Sequence, residues 1–249
     1  MRPKELPHLP LSGSRTCRSL SRASGQGGPI VGDVGPPNLW RRLRRGMPSG
    51  GLVPESIAKQ AIADAFSPII RDMEPVKPWQ WARSLSDEHL ALLWIQGYKG
   101  GAFEVEYGVS CSWVPHREGK TWRWHRTLKQ ARRDLWVDHF TVDAPSTPRI
   151  SRLDGLDRLR RSAEVARRAV GPAARSWWES VDCAPGVLTE SRRQEGQEGV
   201  THWPPPELVT VFTVAKLGDV DRARQRLDGL TVVSADDRVS LAQMLGRLR

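Results

Sequence analysis

Two carboxylates spaced two residues apart are the first side chains in this sequence that could do chemistry. Glu104 and Glu106 fall on one face of a predicted strand, because side chains alternate between the two faces of a strand. If two such carboxylates are enclosed together, the pKa of one of them rises, and the pair can serve acid–base catalysis. The same pattern is typical of the solvent face of a hairpin, which is the interpretation we favour. A hydrolase-type enzyme using Glu104 and Glu106 is therefore the third hypothesis for function.

A basic and aromatic segment between residues 116 and 133 is the second candidate site. It contains seven Lys or Arg residues, interleaved with Trp122 and Trp124. Basic groups neutralise phosphates and indole rings stack on bases, so the segment predicts nucleic-acid binding. The alternative is a solvated face whose tryptophans belong to the core, with arginine stems lying over them. The candidate binding residues are Lys120, Trp122, Arg123, Arg126, Arg132 and Arg133.

Histidine and cysteine residues form no metal-binding pattern in the sequence. The six histidines are scattered, and none stands at metal-ligand spacing from another histidine or a cysteine, so we predict no metal site and no cofactor. Cys111 falls on an apolar strand face, which favours a small buried side chain over a reactive thiol. The first 30 residues lack the apolar stretch of a secretory signal, and no apolar run is long enough to span a membrane. We therefore expect a cytoplasmic protein without a membrane partner.

A β-hairpin between residues 88 and 115 would position the two carboxylates. The turn contains Gly100 and Gly101, which are free to take positive φ. Gly108 lies inside the second strand, where a glycine usually marks a close approach of another part of the chain. The helix that begins near residue 152, or a side chain of the neighbouring strand, is the expected neighbour. The apolar face of this strand is predicted from the alternation of Val105, Tyr107, Val109, Cys111 and Trp113.

The sequence of this hairpin resembles a known family. Ile95-Gln96-Gly97, followed by Phe103-Glu104-Val105-Glu106-Tyr107-Gly108-Val109, is similar to the core signature of domain-of-unknown-function family 4304. In that family a strand ending in Gln is followed by a glycine-containing turn and a strand of the form Phe-x-Val-Asn-x-Gly-Val, and Glu106 stands at the Asn position. The match lies mainly over residues 90–113. The resemblance implies a bacterial domain of mixed fold and carries no activity.

Composition divides the chain into four parts. Residues 1–50 contain nine basic and two acidic residues without apolar periodicity, which predicts a disordered basic tail. Residues 52–188 are predicted to form an α+β domain, with a small antiparallel sheet built on the hairpin and packed by helices. The polar residues 189–206 predict a linker. Residues 207–249 predict a helical C-terminal extension, although the many β-branched residues leave its first element open as helix or strand.

Further elements are predicted on both sides of the hairpin. Periodicity indicates helices over 54–71 and 152–170, with a stop and restart at Gly171-Pro172. The prolines within 75–78 predict a break in regular structure, and residues 121–125 predict a third strand.

Charge is distributed unevenly over the 249 residues. The net charge is +10, and most of it lies in the first 50 residues, while seven arginines between residues 152 and 175 add a second basic region. The leading hypothesis is a non-catalytic protein-interaction domain with a protein partner. Nucleic-acid binding through the segment 116–133 is the alternative.

Overall fold

The computed structural model describes residues 52–124, 127–138, 144, 149–197 and 203–248. These residues form an α+β fold, as the sequence predicts, and the predicted tail 1–50 lies outside the described residues. The described strands are β1 (Glu74–Lys77), β2 (Gln80–Ser84), β3 (His89–Tyr98), β4 (Ala102–Cys111), β5 (His116–Glu118), β6 (Thr121–Arg123), β7 (Leu135–Val137) and β8 (Ile150–Ser151). The described α-helices are α1 (Glu55–Ile70), α2 (Leu156–Ser180), α3 (Ala184–Gln194), α4 (Pro206–Lys216), α5 (Val220–Gly229) and α6 (Ala235–Leu245).

The main sheet is antiparallel and is built on the predicted hairpin of β3 and β4. Its strand order is β1-β2-β3-β4-β7, and β8 pairs with the other end of β4. The turn uses Gly100 at φ 85° and Gly101 at φ 79°, the positive values that the sequence predicted. The predicted break at residues 75–78 is wrong over β1, because proline is tolerated on an edge strand, where its missing N–H faces outwards.

The predicted third strand forms, but outside the main sheet. Thr121–Arg123 pairs with His116–Glu118 as a separate two-stranded ribbon. The strand next to β4 is β7, which pairs Trp136 with Gly108. A Cβ built at Gly108 would overlap the Leu135 carbonyl oxygen and lie 2.8 Å from the Trp136 Cβ. The predicted close approach is confirmed, and the neighbour is β7, not the helix.

Helices α1 and α2 cover one face of the sheet. The predicted stop at Gly171-Pro172 is wrong, because α2 runs unbroken through both residues. Gly171 faces α1, and a Cβ there would lie 2.9 Å from the Ile69 Cδ1, so the glycine serves the helix contact. Pro172 lies on the exposed side of α2, where water can satisfy the carbonyl that loses its partner.

The C-terminal helices pack against the other end of the sheet. The predicted linker 189–206 is wrong at its start, because α3 extends to residue 194 and buries Glu190, Ser191 and Gln194. For residues 207–217 the sequence left both helix and strand open, and the structure shows a helix, α4. The Asp219 side chain accepts from the Arg222 N–H and caps α5.

Strand β4 is covered on both faces. Its odd-numbered residues pack on α1 and α2, or on the C-terminal helices towards its end. The even face carries Ala82, Leu92 and Trp94 of β2 and β3, and Ala131, from the segment that precedes β7, packs against them. The predicted solvent face of the hairpin is therefore wrong along most of its length. Among the described residues, no helix is both long enough and apolar enough to cross a bilayer.

Candidate functional site

The even face of the β2-β3-β4 sheet gathers the polar side chains of the hairpin. Directly paired residues share a face of a sheet, and Trp94 pairs with Glu106 while Gln96 pairs with Glu104. Gln80 of β2 pairs with Trp94 on the same face. We call this set the polar face; its members are Gln80, Trp94, Gln96, Tyr98, Glu104 and Glu106.

Glu106 is the enclosed carboxylate of the polar face. Its residue is only 5% exposed, and the Tyr98 hydroxyl donates a hydrogen bond of 2.7 Å to its Oε1. Burial raises the pKa of Glu106 to about 7, although Tyr98 and Arg133 both act to lower it. A carboxyl that titrates near neutral pH can hold or release a proton under physiological conditions, as acid–base chemistry requires.

Tyr98 connects the two predicted carboxylates. Burial raises the pKa of its phenol, and the nearby Glu106 and Glu104 raise it further, so the hydroxyl remains a hydrogen-bond donor. Glu104 is half-buried, whereas Glu106 is buried. The two carboxylates thus differ in their exposure to solvent. The hydrolase-type hypothesis stays a prediction.

Arg133, a predicted binding residue, lies against the polar face and contacts Trp94 and Gln96. Its guanidinium carbon lies 4.1 Å from the centre of the Trp94 ring, and its Nη1 donates to the Gln96 Oε1 at 3.3 Å. Burial lowers the pKa of Arg133, while Glu106 and Tyr98 oppose that change. The stack on Trp94 is a cation–π contact.

Three other predicted binding residues belong to the β5–β6 ribbon or its turn: Lys120, Trp122 and Arg123. The Trp122 Nε1 donates to the Asp237 Oδ1 of α6 at 2.8 Å, and Arg123 forms an ion pair of 3.1 Å with Glu118. Lys120 is exposed in the β5–β6 turn. Arg126 lies outside the described residues. Among the described members of this set, Trp122 packs with the C-terminal helices and Arg133 packs with Trp94.

Arg132 has neighbours that the sequence reasoning missed. The Lys77 Nζ of β1 donates to the Ala131 carbonyl at 3.3 Å. Burial lowers the pKa of Lys77, and the positive charges of Arg132 and Arg133 lower it further. Lys77 pairs with Gln80 across the sheet. The sequence feature that could have revealed Lys77 and Gln80 as neighbours is the short run of residues 74–84, but its prolines predicted a break in regular structure.

A second charged surface lies on α2. Arg158, Arg161, Arg168 and Arg175 are exposed, and at 100° per residue they fall on one stripe opposite the buried side of the helix. We call these four residues the arginine stripe. None of them forms an ion pair with a carboxylate in the described part of the chain, whereas the neighbouring Arg167 pairs with Glu164 at 3.1 Å.

His89 has a structural role. His89 is buried, its Nε2 lies 3.0 Å from the Val181 carbonyl oxygen, and its Nδ1 lies 2.7 Å from the Ser86 hydroxyl. Burial lowers its pKa, so the ring is held neutral as a structural link between β3 and α2. In the described ranges, no three His, Cys, Asp or Glu side chains are grouped to hold a metal ion.

Comparisons of this chain with protein-family models, with curated proteins and with solved structures gave no match. The resemblance of the hairpin to domain-of-unknown-function family 4304 stays a prediction. Function is therefore argued from the two surfaces described above.

Proposed function

We propose that the protein is a non-catalytic interaction domain that binds an acidic segment of a partner protein along the arginine stripe of α2. The observation that supports this proposal is the stripe itself: four exposed arginines on one line of the helix, without a carboxylate partner among the described residues. Arginine is enriched in protein interfaces, and its planar fork pairs with carboxylates through two parallel hydrogen bonds.

The spacing along α2 suits an elongated partner. Arg161, Val165, Arg168, Pro172 and Arg175 follow one another at intervals of four and three residues, the repeat by which one helix contacts another. From Arg158 to Arg175 the stripe extends over about 26 Å, at 1.5 Å per residue. Val165 is 50% exposed, so it offers an apolar contact between the charged groups.

A protein partner fits this surface better than a nucleic acid does. Asp157 and Glu179 are exposed on the same side of α2, and a protein partner can place basic side chains against them, whereas a nucleic-acid backbone carries only negative charges. The indoles that could have stacked on bases are engaged, because Trp124 packs on Phe212 with 5.8 Å between ring centres and Trp122 bonds to Asp237. Nucleic-acid binding remains the alternative and is an outcome of the same test.

The test is a fluorescence-anisotropy titration with two labelled probes, a glutamate-rich helical peptide and a single-stranded oligonucleotide. We expect the peptide to bind and the combined variant Arg161→Gln, Arg168→Gln, Arg175→Gln to weaken its binding about tenfold or more. The matched control replaces three exposed arginines elsewhere, Arg192, Arg222 and Arg247, by Gln and should bind like the native protein.

Two results would contradict the proposal. Equal losses in the stripe variant and in the control variant would show that only net charge matters. Tighter binding of the oligonucleotide with a steep loss at high salt would support the nucleic-acid alternative, because displaced counterions make such binding depend on salt. A cytoplasmic location stays a prediction throughout.

A further inference from the structure

Three side chains lie in a row across the first three strands of the sheet. Lys77 of β1 pairs with Gln80 of β2, and Gln80 pairs with Trp94 of β3, so all three share the polar face. Residues 131–133 cross over them, since Lys77 bonds to the Ala131 carbonyl and Arg133 stacks on the Trp94 ring. The row and the crossing segment thus bring Lys77, Gln80, Trp94, Arg132 and Arg133 together.

Two hydrogen-bond donors in this row are buried and have no acceptor. The Nε2 of Gln80 and the Nε1 of Trp94 have no hydrogen-bond partner within the described residues. Gln80 is 4% exposed and Trp94 is 0% exposed, so the surrounding protein shields both groups from bulk water. Buried donors in folded proteins are almost always paired. The two unpaired donors of Gln80 and Trp94 therefore favour a ligand whose oxygen atoms accept hydrogen bonds.

Three positively charged side chains lie near these donors. Lys77, Arg132 and Arg133 are close enough that the two arginines lower the pKa of the lysine, after burial itself. Glu106 interacts with Arg133, but no carboxylate in the described part of the chain forms an ion pair with Lys77 or Arg132. Two cations, Lys77 and Arg132, therefore lie at the edge of the polar face without an ion pair among the described residues.

We propose that Lys77, Arg132 and Arg133, together with the Gln80 amide and the Trp94 indole, bind a phosphate group. Phosphate carries roughly two negative charges near neutral pH, which matches the two cations Lys77 and Arg132, whereas a carboxylate carries one. Its several oxygens can accept from charged and neutral donors at once, and guanidinium groups pair with it through two hydrogen bonds. Lys77 and Arg132 are half-buried, so the site lies within reach of the surface. The phosphate is either the free ion or the monoester of a nucleotide.

The test is isothermal calorimetry of the full chain with three probes: inorganic phosphate, adenosine 5′-monophosphate and acetate, at one ionic strength set with sodium chloride. We expect saturable binding of phosphate or the nucleotide and none of acetate. Tighter binding of the nucleotide identifies a monoester as the ligand, and equal or weaker binding identifies the free ion.

Variants locate the binding site. Arg132→Gln should weaken phosphate binding about tenfold or more, and Gln80→Leu should also weaken it. Lys129→Gln is the matched control, because Lys129 is exposed in the adjoining 3-10 turn at residues 128–130. Arg132 contributes its backbone N–H, not its side chain, to the hydrogen bond with Ser110, so Arg132→Gln should fold even if Gln80→Leu does not.

The proposal is overturned if neither phosphate nor the nucleotide gives saturable heat. It is also overturned if Arg132→Gln binds phosphate as Lys129→Gln does, or if acetate binds as well as phosphate. The variant of the arginine stripe on α2 should bind phosphate normally, so the outcome here is independent of the proposed protein contact.

Discussion

At the scale of single residues, the buried carboxyl of Glu106 connects the stability of the fold to pH. Its pKa is about 7 in the folded protein, above the ordinary value of 4.5 that we take for the unfolded chain. Between these two values the folded state holds a proton that the unfolded state has released. The contribution of Glu106 to stability is therefore fully present below pH 4.5 and is lost as the pH rises towards and through 7.

The variant Glu106→Gln removes this titration, because its amide resembles the neutral acid. We expect the variant to be as stable as the native protein at low pH and more stable by up to about 3 kcal/mol above neutrality. Urea unfolding at several pH values measures the difference. Glu104 and Asp138 raise the same pKa, so Glu104→Gln should produce a smaller change in the same direction. Parallel pH profiles for the native protein and Glu106→Gln would contradict this account.

Gly108 is the second residue whose environment makes a clear prediction. A Cβ at this position meets the Leu135 carbonyl and the Trp136 Cβ, and backbone of a paired strand cannot move aside cheaply. Gly108→Ala should therefore destabilise by about 1–3 kcal/mol, and Gly108→Val by more, despite the strand propensity of valine. Thermal unfolding checks the prediction, with Gly97→Ala in β3 as the control.

The control, Gly97→Ala, should change the stability very little, by the same geometric reasoning. A Cβ at Gly97 would lie 3.5 Å from the Phe103 ring, an ordinary contact. If Gly108→Ala is as stable as Gly97→Ala, the strands β4 and β7 separate more easily than their pairing indicates.

At the scale of elements, the contact between α1 and α2 depends on a residue that looks like a helix stop. Gly171 lies against Ile69, and the absence of a Cβ lets the two helices approach each other. Gly171→Leu should lower the unfolding free energy by about 1–3 kcal/mol, because the added side chain overpacks a filled interface. Chemical denaturation measures the loss, and Gly229→Ala is the control, since nothing lies within 4 Å of its Cβ position. A neutral Gly171→Leu would show that the interface repacks.

The hairpin and the helix caps could be predicted from local sequence, because alternation, turn glycines and capping side chains act over a few residues. The sequence could not predict that another segment of the chain packs against the polar face. Glu106 and Ser110 lie on the face that was predicted to meet solvent. The Glu106 carboxylate instead accepts from the Tyr98 hydroxyl of β3, and the Ser110 Oγ accepts from the N–H of Arg132, 22 residues further along the chain. The carboxylate pair and Arg133 were identified as candidates by residue type. Their partners Lys77, Gln80 and Trp94 depended on strand register, which the pattern of β1 and β2 did not fix.

At the scale of the whole molecule, the C-terminal helices share a core with the sheet. Val109, Cys111 and Leu135 pack with residues of α4, α5 and α6 in one apolar cluster. The Trp113 Nε1 also donates to the Thr213 Oγ1 of α4 at 3.1 Å. A protein built in this way is expected to unfold in a single cooperative transition.

Phe212→Ala tests that shared core. Phe212 is fully buried in α4, so its truncation should cost about 3–5 kcal/mol and lower the midpoints of the circular-dichroism and tryptophan-fluorescence transitions together. Leu217→Ala is the control, because Leu217 is 45% exposed at the end of the same helix. Two separate transitions, with only one displaced by Phe212→Ala, would show that residues 207–249 form an independent unit.

The position of β4 has a consequence for the exchange of backbone amides with deuterated water. One edge of β4 pairs with β3 along its whole length, the other pairs with β7 and β8, and both of its faces are covered. No smaller motion exposes the amides in the middle of such a strand, so they exchange at the rate of global unfolding. Among the described strands, β5 and β6 pair only with each other, and their turn is exposed, so their amides exchange through local opening. The amides of β4 and of the β5–β6 ribbon should exchange at similar rates only in conditions where the native state itself is barely stable.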